Sequence, residues 1–277
     1  MKKTKLIILV ALVCVGGTTL YRTCTPKTAE SFVKRGYAYE EKEKLDMAIA
    51  DYTEAIRLDS NYSEAYLRRA FAYSRQGNKD NALNDYTSVI RLDPNNVFAY
   101  YFRAEIYGEK GELEKSIADY SKTTQLWSSH DIRDVTYRGR GDAYYKIGDF
   151  NSAIADYEAY LQIRPEDNDV KEKLIKAKNA EFQQAVAGYT EAIRLNPNNA
   201  DAYFKRGYLY YMQIPDIFKT DPAQYVQQKR LKRVIDHLLG DSDWDQVISD
   251  WESSLKINPN HADAKRYLEL ALQQRGY

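Results

Sequence analysis

The sequence has 277 residues, of which 44% are hydrophobic and 29% are charged. This apolar content is enough to form a core, so disorder along the whole chain is excluded. The 40 basic residues balance 40 acidic residues. A chain of zero net charge has no electrostatic basis for binding nucleic acid, where phosphate neutralisation dominates the affinity.

The first 28 residues differ in character from the rest of the chain. Lys2, Lys3 and Lys5 precede an apolar run at residues 6–15, and two glycines follow that run. This order is typical of a secretory signal peptide. The run is shorter than the roughly 20 residues that span a bilayer, but its apolar character extends to Tyr21, so cleavage and retention as an anchor both stay open. We predict that segment 1–28 exports the chain or anchors it to a membrane, in an extracytoplasmic location in a bacterium.

From residue 29 onward, tyrosines recur at a fixed distance along the chain. Two series have a spacing of 34 residues: Tyr39, Tyr73 and Tyr107, and Tyr52, Tyr86 and Tyr120. Both series continue, at Tyr144 and Tyr157, after a three-residue insertion around residues 130–133. Self-similarity at this period is typical of an array of short helical units.

The second half of each unit has the pattern of an amphipathic helix. In the first unit, spacings of three and four residues place five side chains on one helix face: Ala48, Ile49, Tyr52, Ala55 and Ile56. The pattern recurs at residues 82–90 and 185–193. Three glycines are predicted to end first helices, because a left-handed backbone favours glycine: Gly77, Gly111 and Gly148.

Three kinds of segment carry a family resemblance. Residues 32–39 read FVKRGYAY, residues 48–56 read AIADYTEAI, and a closing turn reads LDPNN at 92–96 and LNPNN at 195–199. These segments resemble the tetratricopeptide repeat (TPR) family, whose unit is a pair of antiparallel helices. The resemblance implies an all-α fold, an α-solenoid of helix hairpins wound into a right-handed superhelix. Six repeats are predicted: 29–62, 63–96, 97–130, 134–167, 166–199, and 200–213 continued by 242–261.

An arginine and an aspartate occur together in five of the six repeats. Position seven of the unit is Arg35, Arg69, Arg103, Arg140 or Arg206, and position 23 is Asp51, Asp85, Asp119, Asp156 or Asp250. The fifth repeat has Glu172 and Gly188 in these places. Because both residues are lost together, we predict an Arg–Asp ion pair between the two helices of each of the five hairpins. A ladder of charged contacts to a ligand is the alternative interpretation.

The last two repeats depart from the pattern. The first helix of the fifth repeat, near residues 169–178, lacks the aromatic positions, which predicts a bend or flexible joint there. In the sixth repeat the spacing from Arg206 to Asp250 exceeds that of the other repeats by 28 residues. Residues 214–241 are therefore predicted to be an insertion within the hairpin turn. Residues 262–275 are predicted to form a terminal helix that covers the last hairpin.

The insertion has the pattern of a basic amphipathic helix. Asp221 and Pro222 are typical of a helix start, and Gly240 is typical of a helix end. Beside an apolar stripe lie four candidates for membrane or partner contact: Lys229, Arg230, Lys232 and Arg233. Such a helix can lie on an anionic membrane or pack on its own solenoid, and both alternatives stay open.

The family resemblance implies that the first helices line a concave groove that receives peptides. The family's carboxylate clamp uses Lys, Asn and Arg at positions five, six and nine, where the first repeat has Val33, Lys34 and Tyr37. A clamp for a chaperone's C-terminal tail is therefore not expected. The groove candidates are mostly aromatic: Tyr37, Phe71, Tyr101, Glu105, Asp142, Phe204 and Tyr208. Aromatic side chains on rigid helices are good anchors, and contact with neighbouring hairpins is the alternative for several of them.

The sequence gives no support for catalysis, metal binding or a cofactor. The three histidines lie far apart, and one of the two cysteines, Cys14, falls in the apolar N-terminal run, which leaves Cys24. No disulfide, zinc site or pair of nucleophile and base can be built from these residues. We predict a non-enzymatic scaffold, with no cofactor and no metal, that binds a protein or peptide of unidentified kind. The alternative is a membrane-surface structural protein docked through its N-terminal segment and the inserted helix.

Overall fold

Twelve α-helices make up the part of the chain that the structure describes. The computed structural model describes residues 28–126, 132–213 and 242–275, and no strand occurs among them. In chain order the helices are α1 (Ala29–Glu40), α2 (Leu45–Leu58), α3 (Ser63–Arg75), α4 (Lys79–Leu92), α5 (Val97–Glu109), α6 (Leu113–Leu126), α7 (Arg133–Ile147), α8 (Phe150–Ile163), α9 (Asn168–Leu195), α10 (Ala200–Gln213), α11 (Ser242–Ile257) and α12 (Ala262–Arg275). The predicted all-α fold is confirmed.

Two compact units, Met1–Ile106 and Tyr107–Tyr277, divide the chain, and the division falls within α5. In the first unit α1 packs on α2 and α3 packs on α4, as successive hairpins. In the second unit α7 packs on α8 and α10 packs on α11. Helices α1, α3, α5 and α10 begin where the sequence period places the starts of the first, second, third and sixth repeats.

The second helices bury the stripe that the sequence pattern predicts. Tyr52, Tyr86 and Tyr157 are at most 1% exposed. Such a ring needs a small residue opposite it, and a Cβ atom added to Gly141 would lie 2.9 Å from the Tyr157 ring. The predicted glycine turns are confirmed, since φ is +77°, +77° and +82° at Gly77, Gly111 and Gly148.

Four of the five predicted Arg–Asp pairs are present, each with two parallel hydrogen bonds. The N–O distances are 2.7–2.9 Å in all four: Arg35–Asp51, Arg69–Asp85, Arg140–Asp156 and Arg206–Asp250. Two-point contacts of this kind are the strong form of an ion pair. Arg103 and Asp119 belong to different compact units, and their pairing stays a prediction.

The position-seven arginines of the second, third, fourth and sixth repeats also bond to the preceding repeat. Arg69 donates from Nη1 to Thr53 Oγ1 at 3.0 Å, and its guanidinium lies 5.7 and 5.9 Å from the rings of Tyr66 and Tyr73. Bonds of 3.0–3.2 Å join Arg103 to Thr87, Arg140 to Ser121 and Arg206 to Thr190. The arginine therefore links its own hairpin to the second helix before it, which favours a structural role over a ladder of ligand contacts.

The fifth repeat is a single helix, not the predicted hairpin with a joint. Helix α9 runs without interruption over 28 residues, Asn168–Leu195. The reason is length: α3 begins 34 residues after α1, whereas α10 begins only 32 residues after α9. The missing residues leave too little chain for a turn, and residues 178–184 contain no glycine or proline that would end a helix.

The second half of α9 consequently has no first helix of its own repeat folded back on it, although α10 of the next repeat packs on α9. Its predicted stripe, Ala185, Val186, Tyr189, Ala192 and Ile193, is only half-buried. A Cβ atom added to Gly188 would meet no atom of the described residues within 4 Å. Position seven has no aspartate to pair with in a repeat without a hairpin, which explains why Glu172 and Gly188 replace the arginine and the aspartate together.

The sixth hairpin and the terminal helix share one aromatic core. The indole N–H of Trp251, on α11, donates to the carbonyl of Phe204, on α10, at 3.1 Å. The ring of Tyr267, on α12, lies 5.6 Å from that of Trp251. Helix α12 has the predicted bounds, and it covers the last hairpin as expected of a terminal helix.

Two predicted segments fall outside the described residues. They are the N-terminal segment up to residue 27, and the insertion with Lys229, Arg230, Lys232 and Arg233. In the three described stretches, no helix combines the length and apolarity that crossing a bilayer requires.

Candidate functional site

The first helix of the first unit, α1, carries an exposed aromatic residue. Tyr37, in the last turn of α1, is 44% exposed. The guanidinium of Arg68, on α3, lies 5.0 Å over the Tyr37 ring. Arg68 is held in turn by Glu64, one helical turn earlier, through an N–O contact of 2.7 Å. The ring is therefore fixed in place while one side of it faces water.

Two further candidates continue this surface on the next first helices. Phe71 follows Arg68 by one turn of α3, and its ring lies 5.6 Å from that of Phe102 on α5. The ring of Tyr101 lies edge-on to Phe102 at 5.2 Å. Phe71 and Tyr101 are half-buried, as is the remaining candidate on α5, Glu105. We call Tyr37, Arg68, Phe71 and Tyr101 the aromatic face.

A buried carboxylate stiffens the hairpin that presents Tyr37. Glu40 is only 6% exposed and accepts a hydrogen bond of 2.8 Å from the Tyr52 hydroxyl. Burial, reinforced by this bond, raises the pKa of Tyr52 far above its ordinary value, so the hydroxyl remains a donor. The two helices of the first hairpin are thereby joined one turn beyond Tyr37.

In the second unit, α7, α8 and α9 line a pocket of about 240 Å³. Its lining residues are Asp142, Tyr145, Lys146, Tyr157, Lys173 and Lys176. Asp142 accepts a bond of 2.7 Å from the Tyr157 hydroxyl and one of 2.8 Å from Lys173 Nζ. Burial, together with the Asp142 bond, raises the pKa of Tyr157 well above its ordinary value. We call this cavity the lysine pocket.

The lysine pocket has an uneven charge. Lys173 is neutralised by Asp142 and by Asp169, whose carboxylate is 3.5 Å away. Lys146 and Lys176 are exposed, and neither has an ion pair among the described residues. The ring of Tyr145, 36% exposed, packs edge-on to Phe150 at 5.4 Å. Three lysines and two carboxylates therefore give this group of side chains a net positive charge, next to the aromatic ring of Tyr145.

The candidates on α10 belong to the packed core of the sixth repeat. The ring of Phe204 lies 4.8 Å from that of His261, and the ring of Tyr208 lies 5.4 Å from that of Tyr267 on α12. For these two residues the structure fits the alternative interpretation, contact with neighbouring helices. They are not carried into the aromatic face.

Several residues of these surfaces were not predicted from the sequence. The sequence analysis considered only positions five, six and nine of each unit, because these are the clamp positions of the family. Tyr145 and Lys146 stand at positions 12 and 13 of the fourth repeat, where the last turn of a first helix faces its neighbour. Lys173 and Lys176 could have been noticed as basic residues one turn apart, but their place depends on how α9 packs on α8.

Known proteins resemble this chain at low sequence identity. The human (Homo sapiens) DnaJ homolog subfamily C member 3 is 24% identical over 160 residues, which are 50% of this chain and 31% of that protein. The chain thus spans about a third of that relative's length. A solved TPR protein from Parabacteroides merdae ATCC 43184 is 21% identical, with a TM-score of 0.50 over 88% of this chain and 98% of that one. YrrB, described as a TPR protein with an unusual peptide-binding site, is 15% identical, with a TM-score of 0.43 over 79% of this chain and 97% of its own.

Family models match most of the hairpin array. One described as TPR repeat matches residues 36–77 and 178–213. Two described as tetratricopeptide repeat match residues 63–96 and 97–166. These matches follow one another along the described helices, and this chain belongs to the tetratricopeptide repeat family.

Proposed function

We propose that this chain is a non-catalytic scaffold that binds an extended segment of a partner protein across the first helices of its hairpins. TPR proteins bind protein or peptide partners and are generally non-catalytic. The observation that carries the proposal is the aromatic face, where three successive first helices each present a ring. A ring that is already held in place buries a large apolar area on binding and loses little side-chain entropy.

Arg68 adds a polar element to this surface. Its guanidinium stacks on Tyr37 and contacts Glu64, so its position is set before a partner arrives. Pre-organised side chains lower the entropic cost of association. Truncating one central ring of such a surface to alanine typically weakens binding by about 1–2 kcal/mol or more.

The test compares partner capture by three forms of the immobilised full chain, using extract from its source cells. The first is the unmodified chain, and the second carries Tyr37→Ala, Phe71→Ala and Tyr101→Ala. The matched control removes three exposed apolar side chains from second helices instead: Met47→Ala, Leu58→Ala and Ile163→Ala. Circular dichroism checks that each variant keeps its helix content.

We expect a partner that the unmodified chain and the control retain and that the aromatic-face variant loses. Equal retention by both variants would contradict the proposal, because the working surface would then lie away from the first helices. Loss from both variants equally would count against it as well, since any apolar truncation would then suffice.

We also propose that the segment before α1 carries the chain out of the cytoplasm or anchors it to a membrane. The basic start and apolar run support this. Helix α1 has its own capping box between Thr28 and Ser31, so the hairpin array begins independently of that segment. Fractionation of bacteria that express the full chain, or the chain without residues 2–27, tests this. Recovery of the full chain in the cytosol would refute it.

A further inference from the structure

The size and lining of the lysine pocket limit what it can bind. Its volume of about 240 Å³ is below the range of about 300–1,000 Å³ that is usual for small-molecule sites. Asp142, in its lining, is already bonded to the Tyr157 hydroxyl and to Lys173. The interior thus needs no further polar partner.

The charge at the pocket rim is positive. Asp142 is compensated by Lys173, which leaves the ammonium groups of Lys146 and Lys176 on either side, one on α7 and one on α9. Two like charges near one cavity attract an anion and disfavour a cation. The adjacent ring of Tyr145 offers an apolar surface to the residue next to that anion.

We propose that the lysine pocket binds an acidic side chain, Asp or Glu, of the partner segment, with a neighbouring apolar residue on Tyr145. This inference rests on the proposed function, because it names the chemistry of one residue of that segment. Helices α7 and α9 belong to the fourth and fifth of six repeats. A chain-terminal carboxylate is the other source of the same charge, and the free-ended probe described next distinguishes it from a side-chain carboxylate.

The probes are three peptides of nine residues, each with an uncharged fluorophore. The first has Leu-Glu-Glu-Leu at its centre, between serines and alanines, with acetylated and amidated ends. The second replaces both Glu residues by Gln. The third is the Gln peptide with a free C-terminal carboxylate. Fluorescence anisotropy measures binding to the full chain up to about 1 mM protein, where a millimolar Kd is still detected.

Two charge-matched double variants test the residues. Lys146→Gln with Lys176→Gln removes the two rim charges. Lys171→Gln with Lys178→Gln removes the same net charge close by, from lysines that do not line the pocket and that pair with Glu166 and Glu158. We expect the Glu peptide to bind, and the Gln peptide and the rim variant each to weaken binding about tenfold or more. The control should change Kd by no more than about twofold, because its charges are compensated.

Four results would overturn the inference. They are equal binding of the Glu and Gln peptides, equal loss in both double variants, binding of the free-ended peptide alone, and no saturable binding of the Glu peptide. Failure here is separable from failure of the proposed function. The variant with the aromatic face removed should still bind the Glu peptide. The rim variant should still capture a partner whose binding depends only on the aromatic face.

Discussion

The arginine at position seven has two bonding partners, the aspartate of its own hairpin and a hydroxyl of the repeat before it, as Arg69 shows. Its partner within the hairpin was predicted from the joint loss of arginine and aspartate in the fifth repeat. Its second partner is a hydroxyl at position 25 of the repeat before, and the sequence follows the same rule there. The residues at that position are Thr53, Thr87, Ser121, Glu158 and Thr190. Only Glu158 precedes a repeat without the arginine, and it pairs with Lys178 at 2.8 Å instead.

The exposure of each arginine sets the cost of losing its aspartate. Asp85→Asn leaves Arg69, whose side chain is 16% exposed, without an anion in a site that water reaches poorly. We expect a loss of about 2–4 kcal/mol in the free energy of unfolding. Asp51→Asn leaves Arg35, which is 58% exposed and can be solvated, so the expected loss is about 1 kcal/mol or less.

Urea unfolding followed by circular dichroism measures both variants. The two variants are well matched, because Asp51 and Asp85 accept the same two-point bond, are similarly buried and lie in the same compact unit. Equal losses would show that burial of the arginine does not control the energetics.

For single residues, the repeat period predicted which helix a side chain belongs to better than it predicted which neighbours that side chain contacts. It identified Tyr37, Phe71 and Tyr101 as first-helix residues because position within the unit decides the helix face. It did not separate these from Phe204 and Tyr208, since covering by α12 depends on where the array ends. The lysine pocket was missed, apart from Asp142, because it forms between two repeats of unequal length.

At the scale of elements, α9 shows what a repeat pattern can hide. The sequence comparison placed the fifth repeat with a two-residue overlap onto the fourth, and that overlap was the sign of a missing turn. Each half of α9 has the sequence pattern of a helix with its own apolar stripe, so this pattern alone does not show whether a turn separates the two halves. The turn disappears because the chain there is short and helix-compatible, not because the halves differ in helical character.

The open face of α9 predicts opposite effects for the same substitution at two glycines. Gly188→Ala adds a methyl group where no atom of the described part of the chain lies within 4 Å, and it replaces the poorest helix former apart from proline. We expect it to stabilise the chain by about 0.5–1 kcal/mol. Gly141→Ala places its Cβ atom 2.9 Å from the Tyr157 ring, so the hairpin must shift and stability should fall by about 1–3 kcal/mol.

Thermal and urea unfolding of the two variants, each against the unmodified chain, measure these effects. If a first helix from elsewhere in the chain lay against Gly188, alanine there would destabilise as it does at Gly141. That result would mean that the face described as open is covered.

At the scale of the whole molecule, both compact units rest on buried tyrosines. Tyr52 and Tyr86 lie in the first unit and Tyr157 lies in the second. The stability of a repeat array is close to a sum of contributions from its hairpins and their interfaces. A buried tyrosine that recurs in several hairpins therefore affects the stability of both units, and its hydroxyl can ionise.

The tyrosine cores predict a loss of stability at alkaline pH. Burial raises the pKa of Tyr86 from 10.0 to about 12, and it raises those of Tyr52 and Tyr157 as well. A tyrosine with a raised folded-state pKa contributes its full stability below pH 10, and this is lost as pH rises, because the unfolded chain releases the proton first. Each such group should remove about 1.4 kcal/mol per pH unit between its two pKa values.

Tyr86→Phe tests the contribution of one of these groups. The Tyr86 hydroxyl lies beside that of Ser74, and within the described residues neither makes a hydrogen bond of good geometry, so the substitution should cost little at pH 8. Between pH 8 and about 12 the variant should lose about 2–3 kcal/mol less than the unmodified chain, since one ionising group is gone. Urea unfolding at several pH values measures this difference, and the deprotonation of lysines affects both proteins alike. Parallel losses in the two proteins would mean that Tyr86 ionises at the same pH in the folded and the unfolded chain, and alkaline sensitivity would then have to come from other groups.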